Sequence, residues 1–118
     1  MPALAQLASV VIDCAEPARL AGFYRSVTGW EISASDADTA YLDGPAGLQL
    51  GFQRIAGYRQ PTWPDPAKHA HLDFKVADID AAVKELLDLG AAKPQFQPGG
   101  DEWVVLTDPD GHPFCLMR

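Results

Sequence analysis

Residues 71–90 read HLDFKVADIDAAVKELLDLG. From His71 to Val76 polar and apolar side chains alternate, the period of a strand with one buried face. Asp78 is then placed to cap a helix whose apolar stripe is Ile79, Val83, Leu86 and Leu87 and which ends at Gly90. The same order occurs earlier. Leu7 to Cys14 is short and β-branched, and Glu16-Pro17 opens a helix, because proline is tolerated in the first turn. Leu20, Phe23, Tyr24 and Val27 fall at i, i+3, i+4 and i+7, and Gly29 supplies a left-handed C-terminal position. Leu20 to Gly29 therefore corresponds in role to Ala82 to Gly90.

Three strands are predicted behind each helix. Trp30 to Ala34, Thr39 to Leu42 and Leu48 to Gln53 follow the first, with turns at 35–38 and 43–47. Lys93 to Gln97, Glu102 to Thr107 and Phe114 to Met117 follow the second, separated by Pro98-Gly-Gly100 and Asp108-Pro-Asp-Gly111, a good type I turn sequence. One β, one α and three β thus appear twice, an internal duplication at about half the chain length. Between the copies, Ile55 to Lys68 carries Pro61, Pro64 and Pro66. It reads as an ordered but irregular connector, since proline removes the donors that a ladder would need.

The 118 residues, 47% of them hydrophobic, suffice for one domain with a real core. A formal net charge of -7 argues against a nucleic-acid partner, because that function needs clustered Lys and Arg. The acidity suits a neutral or cationic small molecule, besides keeping a small domain in solution. Cys14 and Cys115 follow neither a CxxC spacing nor a disulfide framework, so free thiols in a reducing compartment are expected. No apolar run approaches a membrane span and no secretory leader pattern opens the chain. The expectation is a cytoplasmic protein without a membrane partner.

The Phe23-Tyr24 pair with Gly29-Trp30 after it, the His71-x-Asp-x-x-Val-x-Asp78 start of the second copy, and Asp108-Pro-Asp-Gly-His-Pro-Phe-Cys-Leu116 together resemble the vicinal oxygen chelate superfamily, which includes glyoxalases, bleomycin-resistance proteins and dioxygenases. The resemblance implies an α+β fold, two tandem βαβββ units forming a half-open barrel around a central cleft. It implies one glyoxalase-like domain over 1–118, with unit one at about 7–55, a linker at about 56–68 and unit two at about 69–118. It also implies a homodimer. In metal-dependent members four side chains, from the first and last strand of each unit, hold the ion. Carried over by position, these places fall on Ser9, Gln49, His71 and Cys115, where the family has His or Gln, Glu, His and Glu. A divalent ion in an oxygen-rich site needs anionic ligands to offset its dehydration, and none of the four is a carboxylate. A metal-dependent glyoxalase is therefore disfavoured, no cofactor is expected, and His71 and Gln49 are the only weak metal candidates.

The expected ligand cleft is lined by Ser9, Asp13, Gln49, His71, Asp73, Trp103 and Cys115. His69, His71 and Asp73 share one strand face, so His71 and Asp73 with a distant His112 could form a facial triad; the simpler expectation is that Asp73 orients His71 and that His112 belongs to a hairpin turn. Asp13 shares its face with Ser9 and Val11 and could act with His71 as an acid/base pair. Cys115 would need a base or a positive neighbour to become a nucleophile, so packing is the simpler role. Tyr58, Trp63 and Trp103 could wall a ligand or pin loops. The resulting functional expectation is a small-molecule-binding protein of the sequestration or resistance type. The alternatives are a metal-dependent lyase, isomerase or dioxygenase with an altered ligand set, and a metal-free acid/base enzyme using Asp13 and His71.

Overall fold

In both halves of the chain the first strand pairs in parallel with the last strand, so a helix must carry the chain between them. This is seen in a computed structural model that describes residues 3–118. The chain divides into two compact units, one running up to Tyr58 and the other Arg59–Arg118. No helix or strand lies between Arg54 and Leu72. Among the described residues, no helix is long and apolar enough to cross a membrane.

Unit one contains β1 (Ser9–Cys14), α1 (Pro17–Thr28), β2 (Glu31–Ser35), β3 (Thr39–Asp43) and β4 (Gln49–Arg54). Its open sheet has the order β1-β4-β3-β2. Pro17 opens α1, as its missing N–H costs nothing there, and Gly29 closes it at φ 75° with its N–H on the Arg25 carbonyl. The buried stripe Leu20, Ala21, Phe23 and Tyr24 lies over the sheet, where Cys14, Ala40, Leu42, Leu50 and Phe52 complete the core. Tyr24 stacks on Phe52 at 5.5 Å, and Phe23 meets Tyr24 edge-on at 5.0 Å. Alternation then turns Ser9, Val11 and Asp13 to the other face of β1.

Unit two contains β5 (Leu72–Lys75), α2 (Ile79–Asp88), β6 (Trp103–Thr107) and β7 (Pro113–Met117), with sheet order β5-β7-β6. The Asp78 carboxylate accepts the Ala81 N–H and caps α2, as its position predicts. Val105, Leu106, Phe114 and Leu116 are buried, and Phe74 packs edge-on against Phe114 at 5.8 Å.

The strand expected over Lys93 to Gln97 does not form. Only Ala92 bridges to β6, exchanging two backbone bonds with Thr107. Pro94 and Pro98 deny the segment the donors of a continuous ladder. The Gln97 side chain stands in for the missing strand: its Nε2 donates to the Val105 carbonyl at 2.8 Å and its Oε1 accepts the Val105 N–H at 2.9 Å. A third bond runs from Nε2 to the Pro94 carbonyl. One amide thus satisfies both backbone groups of a fully buried residue.

Gln97→Ala should destabilise unit two by about 2–3 kcal/mol, since a buried donor and acceptor both lose their partner. Gln97→Glu should fare no better, because a carboxylate cannot donate to the Val105 carbonyl. Urea denaturation of the three proteins measures this, and wild-type stability in Gln97→Ala would disprove it.

Candidate functional site

The strand registers decide which side chains meet. In unit one Ser9 pairs directly with Gln49, Val11 with Gly51 and Asp13 with Gln53. Asp43 pairs with Gln49 from the other side, and Tyr41 with Gly51. These residues share one sheet face, opposite α1. Gln49 is already engaged there: its Nε2 donates to Asp43 Oδ1 at 2.9 Å and reaches Ser33 Oγ at 3.5 Å. Gly51 is needed because a Cβ at this position would fall 2.5 Å from the Tyr41 ring. Asp13 and Asp43 give the face two carboxylates, and its strand positions hold no Lys or Arg; Glu31, the register partner of Asp43, turns its carboxylate to Arg25 of α1 at 3.4 Å.

In unit two the register sets Asp73, not His71, directly beside Cys115. His71 lies two residues ahead of Asp73 on the same face, a diagonal neighbour of the thiol. Asp73 Oδ1 is 2.6 Å from His71 Nδ1, and Cys115 Sγ is 3.9 Å from the same nitrogen. One nitrogen, one carboxylate oxygen and one sulfur lie within 4.8 Å of one another. The imidazole and carboxylate are about two-fifths exposed, whereas Cys115 is buried.

Asp73 therefore orients His71, as the simpler reading of the sequence expects. Its short bond also occupies the nitrogen nearest the thiol, so His71 is not arranged as a base relaying between Cys115 and Asp73. Burial, and then the charge and hydrogen bond of Asp73, push the Cys115 thiol up to about 11, with Lys68 opposing. At neutral pH Cys115 is a protonated thiol and a poor nucleophile.

His112 does not complete a facial triad with His71 and Asp73. Its Nδ1 lies 2.9 Å from both oxygens of buried Asp108, whose Oδ1 also accepts the backbone N–H groups of Asp110 and His112. With the Gly111 N–H on the Asp108 carbonyl, these bonds build the β6–β7 turn. The third member of the cluster is Cys115. Trp63 is a loop anchor: its Nε1 donates to the Phe96 carbonyl at 3.0 Å, its ring packs on Phe96, and Lys68 Nζ sits 5.1 Å from it. Half-buried Trp103 covers Gly99, where a Cβ would strike its ring, and Tyr58 closes a turn on Ile55. His69 is exposed just ahead of β5.

Sequence reasoning missed the Asp43–Gln49 bond and the direct pairing of Asp73 with Cys115. Asp43 precedes a turn glycine and reads as a loop residue, and periodicity assigns faces without register.

Comparison with known proteins follows the same outline. A family model described as a glyoxalase-like domain matches residues 9–117. Comparison with curated proteins gives no sequence match. Among solved structures, a possible glyoxalase from Bacillus cereus superposes with a TM-score of 0.71 at 14% identity, covering 96% of this chain and 98% of that one. A glyoxalase/bleomycin resistance protein/dioxygenase family enzyme from Burkholderia phytofirmans gives 0.70 at 21% identity, over 95% and 97%. A mutant of the genomically encoded fosfomycin resistance protein of Listeria monocytogenes, complexed with Mn(II) and a dihydroxypropylphosphonic acid, gives 0.72 at 16%, over 98% and 93%. At these identities the likeness is one of fold, and it matches the α+β architecture of βαβββ-like units.

Cys115 should alkylate with iodoacetamide at least about tenfold more slowly than a free thiol at pH 8. Its thiolate fraction is about a hundredfold smaller, an effect partly offset by the greater nucleophilicity of a more basic thiolate. The rate should climb about tenfold per pH unit towards pH 10, and Asp73→Asn should raise it at every pH by removing the carboxylate that opposes ionisation. Peptide mapping by mass spectrometry separates Cys115 from Cys14; a rate insensitive to both pH and Asp73→Asn would contradict the assignment.

Proposed function

We propose, starting from the fact that this chain belongs to the glyoxalase-like domain family, that it binds a neutral or cationic small organic molecule and works without the family's oxygen-rich, four-ligand metal site. One observation carries this reading. At the two last-strand places that the resemblance assigns to carboxylates stand Gln49, a neutral amide whose Nε2 is held by Asp43, and Cys115, a buried sulfur that brings no oxygen ligand. A hard divalent ion gains nothing there that offsets its lost hydration shell. Ser9, at the remaining first-strand place, offers only a neutral hydroxyl.

The charge of the surroundings favours the ligand class. Asp13 and Asp43 make the open sheet face of unit one acidic, in a chain of net charge -7. Such a face repels anions and attracts cations before any specific contact forms. Tyr41 over Gly51 adds a flat aromatic surface on which an organic group can rest. In unit two, His71, Asp73 and Trp103 offer polar and aromatic contacts of the kind that fix a ligand's orientation. Sequestration by binding, with no bond made or broken, needs no more than these. The enzyme reading draws support from the convergence of His71, Asp73 and Cys115.

Chelator-treated protein, screened by thermal shift against small metabolites and drug-like compounds, should be stabilised by neutral or cationic compounds and not by anions. A ligand present at a hundred times its Kd adds about 2.7 kcal/mol to stability. Asp13→Asn should weaken a cationic ligand about tenfold, read by calorimetry. Stoichiometric retention of Mn2+ or Mg2+, lost in His71→Ala, would overturn this reading.

A further inference from the structure

The geometry points to a second capacity within unit two alone: we infer that His71, Asp73 and Cys115 form a three-ligand site for a thiophilic divalent ion of the zinc class. His71 and Cys115 stand at two of the four places that the family uses, but the donor set differs: it adds Asp73, which the family pattern does not include, draws on one unit only, and contains sulfur.

Tetrahedral zinc with metal–ligand bonds of about 2.0–2.3 Å places its ligand atoms about 3.3–3.8 Å apart. Here the Nδ1–Sγ separation is 3.9 Å, the Nδ1–Oδ1 separation is 2.6 Å, and all three donor atoms lie within 4.8 Å of one another. Side-chain rotation at half-exposed His71 and Asp73 opens their 2.6 Å bond by less than an ångström and draws the donor set, now spread over up to 4.8 Å, into that range. Backbone pairing already fixes Asp73 beside Cys115, so two of the three ligands are held by the sheet.

Cys115 binds as thiolate, its proton leaving to solvent, and Asp73 binds as carboxylate. Together they neutralise the dication, while His71 contributes a neutral imidazole nitrogen. A neutral complex is the form best tolerated beside a buried sulfur. Thiolate and imidazole select zinc over magnesium or manganese, the reverse of an oxygen-only site. The exposure of His71 and Asp73 leaves the fourth position open to water or an incoming ligand, as in catalytic rather than structural zinc sites.

This inference uses the same face of unit two as the proposed ligand site but does not depend on organic-ligand binding. Zinc retention without any organic compound tests the one; compound binding in the presence of chelator tests the other.

Purified protein loaded with Zn2+ and dialysed should retain one equivalent per chain. Cobalt substitution should give a thiolate-to-metal charge-transfer band together with tetrahedral visible absorption. Cys115→Ser should abolish the charge-transfer band and weaken zinc at least about a hundredfold, and Asp73→Asn and His71→Ala should each weaken it at least about tenfold. Asp73→Asn changes an exposed side chain and leaves the core alone, and the cobalt spectrum of the wild-type protein needs no variant. Absence of the sulfur band, zinc affinity unchanged in Asp73→Asn, or tighter binding of Mn2+ than of Zn2+ would each overturn the inference.

Discussion

Parallel pairing of a unit's first strand with its last is the constraint from which the rest of the structure follows. A parallel partner cannot be reached by a tight turn, so each unit needs a helical crossover, and that helix needs an apolar stripe to cover the sheet. Once α1 covers one face of unit one, every second residue of β1 and β4 is released to the other face. Ser9, Asp13, Gln49 and Gln53 are placed as a set by this geometry. The same logic sets Asp73 beside Cys115 in unit two. Chemistry on these faces is thus fixed by backbone register before any side-chain preference enters.

Much of the fold was legible because its signals are local. The stripe of α1, Pro17 at its start, Gly29 at its end and the Asp78 cap of α2 are each decided within a few residues, and each appears where the sequence places it. The strand expected at Lys93 to Gln97 failed for a reason also written locally, in Pro94 and Pro98, but outweighed by the duplicated pattern. What took its place, an amide bonded to Val105, requires knowing which residue faces the gap. No periodicity carries that information.

The candidate site was legible by composition and not by arrangement. The grouping of His71 and Asp73 on one face follows from alternation, and the structure joins them by a hydrogen bond. Cys115 joins them only through the register of β5 and β7, which depends on long-range pairing. His112 shows the opposite case, a histidine of attractive chemistry spent on holding a turn through Asp108. Family resemblance names His71 and Cys115 as two separate strand places, and only the register of the sheet sets Asp73 beside Cys115.

The Gln97 side chain closing the outer edge of β6 also sets a timescale. An edge covered by a neighbouring strand opens only when a ladder of backbone bonds breaks. An edge covered by one amide opens when a few side-chain torsions rotate, an event that can run far faster than unfolding. Each opening presents the unpaired N–H and carbonyl of Val105, the kind of template on which foreign strands add and aggregates begin. Closure of the β6 edge at Val105 therefore rests on the rotamer of one glutamine, held in place by three hydrogen bonds, beside the two backbone bonds that Ala92 exchanges with Thr107.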